Sequence, residues 1–143
     1  MKIQNSIALL VTSLFLAISS AADAGVVVIV NPSIAAASIS KAEAADVFLG
    51  KTKSLSDGTA MVPLDQAEGE AVRDEFYQKA ANKSASQLKA YWSRQVFTGQ
   101  GEPPKAVADD DEVKALVAKN PNIIGYVSSE AVDSTVKAVL TLE

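Results

Sequence analysis

Chemistry in this chain falls to carboxylates, amines, guanidinium groups and hydroxyls, because it contains no histidine and no cysteine. Ser–His and Cys–His nucleophile pairs cannot be assembled, and neither can zinc sites built on imidazole or thiolate. The densest polar constellation is Asp65-Gln66-Ala67-Glu68-Gly69-Glu70, followed by Arg73. A glycine-containing turn that opens a helix is a natural anion site. The first helical N–H groups lack an intrahelical partner, and the dipole favours negative charge there. Gln66, Glu68, Gly69, Glu70 and Arg73 are therefore candidate ligand-binding residues. The carboxylates argue the other way, since they repel an anion. Asp65 and Glu68 also have the spacing of a capping box, which would fill the helix start from within. Arg73 stands one turn into the helix; a surface pair with Asp74 or Glu70 is the expected arrangement, with folding back toward the turn as the alternative. Gln66 either contacts a ligand or shapes the turn.

A second cluster comprises Tyr91, Trp92 and Arg94, followed by Phe97-Thr98-Gly99. Trp92 falls on an apolar stripe and reads as core. Arg94 falls off that stripe and is a candidate contact for a ligand or a partner. The run Asp109-Asp110-Asp111-Glu112 lacks the glycine and ligand spacing of a calcium loop, and reads as a solvated helix start. Asp65, Glu68 and Glu70 could supply a carboxylate pair for acid–base work, but helix-start carboxylates have an adequate structural explanation. The chain reads as a non-enzyme with no cofactor and no metal.

These residues need elements to position them. Gly25–Asn31 is a β-branched run that predicts a strand buried on both faces, as in a parallel or mixed sheet. Ser40 and Glu43 form a capping box opening a helix that ends near Gly50. Ala60–Leu64 predicts a second strand, with Pro63 near a strand end or on an edge. Asp65–Gly69 is then the turn into a helix over about 70–81, with Val72, Phe76, Tyr77 and Ala80 on one stripe. Ser84 and Gln87 form a second capping box, and the helix that follows places Leu88, Tyr91, Trp92 and Val96 on one face. After a loop over Thr98–Pro104, a helix starting at Asp109 carries Val113, Leu116 and Val117. Ile123–Val127 and Val136–Leu142 predict two further strands, with a short helical turn between them. Strands alternating with helices indicate a three-layer α/β sandwich.

Two segments give this pattern a context. Asp46-Val47-Phe48-Leu49-Gly50-Lys51 resembles the "D-x-F-L-G-K" segment of periplasmic phosphate-binding proteins of ABC transporters. Asn120–Val127 (NPNIIGYV) is similar to their "P-x-A-I-G-Y-V" segment. The elements between them follow the order of the second lobe of those proteins, and the resemblance covers essentially all of residues 25–143. It implies one lobe of a type-II periplasmic binding protein and a solute-binding module for a small anion such as phosphate. It also implies an anion-holding "R-x-x-x-S-G-T" motif at the turn. With the motif's glycine on Gly69, Leu64 stands in place of the arginine, Glu68 of the serine and Glu70 of the threonine. One lobe leaves a ligand half exposed, so a homodimer or an envelope protein partner is expected to supply the other wall. The competing reading is an interaction or sensor-accessory module that kept the fold and lost the anion site.

The ends and the charge set the location. Lys2, the apolar run Ile7–Ile18 and Ala22-Asp23-Ala24 occur in the order of a cleavable signal peptide, predicted to span residues 1–24. The apolar run is short for a membrane span, and no cysteine follows it to carry a lipid, so the exported domain, 25–143, is expected to be periplasmic and unanchored. The net charge is -4 and there is no basic stretch, which makes nucleic acid an unsuitable partner.

Overall fold

The computed structural model describes residues 25–143; the expected signal segment, 1–24, lies outside the described residues. β1 (Val26–Val30) forms where five β-branched residues follow one another, and every one of them is buried. Asn31 ends the strand. Its Nδ2 donates to the Val117 and Ala118 carbonyls at 3.1 and 2.9 Å, so the residue that stops β1 also satisfies the end of a distant helix.

α1 (Lys41–Phe48) starts at the Ser40/Glu43 capping box, with both reciprocal hydrogen bonds present. It ends at Leu49 and Gly50, where Gly50 takes a φ of +72°, the left-handed conformation that glycine adopts without steric cost. β2 (Val62–Gln66) and α2 (Ala71–Ala81) follow. α3 (Ala85–Phe97) opens on the complete Ser84/Gln87 capping box. β3 (Lys105–Val107), α4 (Asp110–Lys119), β4 (Ile123–Ser128), a single 3-10 turn at Ser129–Ala131 and β5 (Lys137–Leu142) complete the order.

The strands form one mixed sheet in the order β3-β2-β4-β1-β5. β2 runs parallel to β3 and β4, whereas β1 runs antiparallel to β4 and β5. Buried residues sort into two clusters by face. One joins Val26, Val28, Val30, Ile124 and Tyr126 to apolar residues of α1, α2 and α3. The other joins Val27, Ile29, Leu64 and Val127 to Val113 and Val117 of α4. The predicted three-layer α/β sandwich is therefore the observed one, with three helices on one face and one on the other.

Three expectations are corrected. The second strand is displaced two residues toward the C-terminus, to Val62–Gln66, because the side chains of Asp65 and Gln66 find buried partners and need no turn. Pro63 lies near the strand start, paired with Ile124 on the β4 side, while pairing with β3 begins only at Leu64; its missing N–H therefore breaks no β3 ladder bond. β3 was not anticipated, since three residues after Pro103-Pro104 carry no readable period. Val96, expected on the buried face of α3, is 54% exposed, as the last turn of that helix runs past the core.

Candidate functional site

The carboxyl ends of β2 and β4 meet the amino ends of α2 and α4, and the polar residues concentrate there. Strand alternation sends the last two side chains of β2 to opposite faces. Asp65 points toward α2 and is 2% exposed. Its carboxylate accepts from Tyr77 Oη at 2.7 Å and from Tyr126 Oη in a short bond, and the Gln66 amide donates to it at 2.8 Å. Burial, and after it the Asp65 charge, pushes both tyrosine hydroxyls far above their ordinary range, so they stay protonated and act as fixed donors. Each Asp65 oxygen has a hydroxyl partner, which offsets the cost of burying the charge.

Gln66 points the other way and is fully buried. Its Nε2 donates to Asp110 Oδ1 at 2.7 Å and to the Tyr126 carbonyl at 3.0 Å. Among the described residues its Oε1 has no partner. The two acceptors around Nε2 fix the amide orientation, since the flipped amide would set oxygen against oxygen. Asp110 in turn accepts from the Ser128 hydroxyl at 2.9 Å. The expected solvated helix start is thus corrected at this residue: Asp110 ties α4 to both β2 and β4. Asp109 is the helix cap, accepting from the Glu112 amide at 3.0 Å.

The turn itself is short. Ala67 N–H bonds the Val107 carbonyl at 2.8 Å and Glu70 N–H bonds the Ala67 carbonyl at 3.1 Å, with Gly69 at φ +95°. Glu70 is the N-cap residue of α2 but makes no side-chain cap bond. The Asp65/Glu68 capping box does not form: Asp65 belongs to the strand, and the exposed Glu68 lies 4.0 Å from Lys89. The first N–H groups of α2 therefore have no side-chain cap. Arg73 does not make the expected surface pair with Asp74 or Glu70. It folds back, with Nη1 3.4 Å from the Gln66 carbonyl and Nη2 3.9 Å from Asp65 Oδ2, and its guanidinium carbon lies 5.9 Å from the centre of the Tyr77 ring.

Of the six predicted site residues, five share this corner: Gln66, Glu68, Gly69, Glu70 and Arg73. Arg94 is exposed on α3 and lines neither the pocket at the α2 and α4 starts nor the apolar groove beside Trp92. Sequence reading missed Tyr77, Tyr126, Asp110 and Ser128 as polar members of the corner. Only Asp110 carried a local signal, as part of an acidic run at a helix start.

No family model and no curated protein matches this chain. Solved structures do. A protein assigned as a phosphate ABC transporter substrate-binding protein from Clostridium perfringens, with phosphate bound, aligns at a TM-score of 0.60 and 22% identity over 80% of this chain and 44% of that one. An ABC-type phosphate transport receptor from Vibrio cholerae aligns at 0.63 and 15%, over 80% and 45%. PstS from Borrelia burgdorferi aligns at 0.60 and 12%, over 80% and 46%. The fold is that of part of a phosphate-type solute-binding protein. This chain spans less than half the length of each of the three, and these neighbours are binding proteins, not enzymes.

Proposed function

We propose that this chain is a recognition module on a solute-binding scaffold, working in the cell envelope by docking a partner through its α2/α4 corner and not by capturing phosphate. One observation carries this reading. The α2 start has no side-chain cap, yet the pocket in front of it is lined by Glu70, Asp109, Asp110 and Asp111, and Arg73, the nearby cation, is turned onto Asp65 and the Gln66 carbonyl. A unit charge of like sign about 6 Å from a bound anion costs roughly 1–3 kcal/mol, against the ~0.3–1 kcal/mol that a helix N-terminus ordinarily returns. The apolar segment and A-x-A box near the N-terminus support the location in the envelope.

Titrating the full chain with phosphate by calorimetry, with sulfate as control, tests the reading. The expected result is no heat and no thermal stabilisation at millimolar phosphate. Saturable one-site binding in the micromolar range would overturn it. That outcome would favour a second reading, a small-anion receptor in ABC-type uptake, which the uncapped α2 start and the open space around Gly69 support. Among the described residues no helix is long and apolar enough to cross a membrane; cell fractionation tests the periplasmic placement.

A further inference from the structure

The pocket between the starts of α2 and α4 has a volume of about 350 Å³. We propose that it receives a protonated nitrogen group, an ammonium or a guanidinium, with Gln66 Oε1 as the hydrogen-bond acceptor and Glu70 and Asp111 as counter-charges. The assignment deepens the docking reading and rests on it, because it names the chemistry of what docks.

Two independent observations converge. The first is charge: four carboxylates line the pocket, those of Glu70, Asp109, Asp110 and Asp111, against about one positive charge from the α2 and α4 termini together. The second is an unmet acceptor. Gln66 also lines this pocket, is fully buried, and leaves Oε1 without a donor. Because Nε2 is committed to Asp110 and the Tyr126 carbonyl, the open demand is for an N–H or O–H donor. A fully deprotonated anion cannot meet it; an alkylammonium or guanidinium can, and it is attracted by the same carboxylates. A metal ion is the less suited cation, since among the described residues no group of three or more acidic side chains is placed to bind one. Asp109 and Asp110 already hold backbone and side-chain donors. The exposed Glu70 and Asp111 remain to flank the incoming group.

On the docking reading the nitrogen belongs to a lysine or arginine side chain of a partner protein. Titration of the full chain with methylguanidinium and with 1,4-diaminobutane, followed by amide NMR shifts, tests the site. Tetramethylammonium is the control, since it has the charge but no N–H. Saturable shifts centred on Gln66, Ala71 and Asp111 are expected, with tetramethylammonium about tenfold weaker for want of one charge-assisted hydrogen bond. Gln66→Met should abolish that preference. The double variant Glu70→Gln with Asp111→Asn, both exposed and outside the core, should weaken every cation several-fold and serves if Gln66→Met does not fold. Micromolar binding of the small amines would assign a free solute and overturn both the partner side chain and the docking reading. Millimolar binding that tightens strongly in a peptide bearing one arginine between apolar residues assigns a partner's side chain. Equal shifts with tetramethylammonium, or shifts scattered over the surface, overturn the proposal. If phosphate and the cations are all silent, only the pocket assignment fails; if phosphate alone binds, the docking reading fails with it.

Discussion

The two faces of the sheet are built on different principles, and β4 serves both. Toward α1–α3 it presents Tyr126, stacked on Phe76 at 4.1 Å between ring centres, with Phe48 and Tyr77 edge-on at 5.6 and 6.3 Å. Toward α4 it presents Gly125, next to Val113 and Val117. The first face is defined by large rings whose two hydroxyls must find Asp65; the second is defined by clearance, since aliphatic side chains close over a residue that has none. Both sides carry polar bonds, the two tyrosine hydroxyls on Asp65 on one and Gln66 with Asp110 on the other, but the close approach at Gly125 belongs to the α4 side. Among the described residues the buried carboxylate, Asp65, lies on the aromatic side, where it holds Tyr77 of α2 against the end of β2.

Phe76→Ala is the strongest test of this contrast. Phe76 is fully buried among three other rings, and its loss should cost about 3–5 kcal/mol in denaturant unfolding. A cost below about 1 kcal/mol would show that the rings do not define this face. Gly125→Ala probes the opposite face. A Cβ there would come within 2.5 Å of Val113 Cγ1, so about 1–3 kcal/mol of destabilisation is expected. Adding Val113→Ala should return part of it, a coupling that a double-mutant cycle reads directly. Tyr126→Phe keeps the ring and removes one donor from Asp65. Tyr77 and the Gln66 amide remain, so the expected loss is about 1–2 kcal/mol.

The smallest effect concerns an exposed acid on the α4 side, as a foil to Asp65. The Thr135 hydroxyl, then Lys114, holds Asp133 down at about 2. A depressed native pKa gives a contribution that is present above the ordinary aspartate value and lost as pH falls through the native one. An NMR titration of the Asp133 carboxyl carbon should therefore show its midpoint near that value, and Lys114→Met should raise it. A midpoint already at the ordinary value in the unaltered chain would remove the tie between α4 and the segment entering β5.

What was legible in the sequence was local. The capping boxes at Ser40/Glu43 and Ser84/Gln87 span four residues each and were read correctly, as was the helix stop at Gly50. β1, β4 and β5 announced themselves by β-branched or alternating runs. The corner was found as a place, because Gly69 and its neighbours form a turn before a helix, but its wiring was not. Asp65 looked like a turn residue since acids rarely end a buried strand; its partner Tyr126 is 61 positions away, and nothing in a single sequence pairs the two. Arg73 was misread for the same reason, since its neighbours on the helix were visible and the strand end it folds onto was not.

The placement of β1 has a consequence for solution behaviour. Val26–Val30 is uncharged and β-branched, the composition of segments that stack into fibrils. It is enclosed by β4 on one side and β5 on the other. The two outer rims are blunted. β3 has only three residues, after two prolines. β5 carries a bulge at Val139, whose carbonyl is taken by Ile39 N–H at 2.9 Å. Fraying at the β3 rim therefore uncovers no long sticky template, whereas detachment of β5 bares the edge of β1. The hazardous segment is bared as soon as β5 leaves the sheet, so precipitation on storage should follow the local opening of β5 and be slowed by whatever holds β5 on β1.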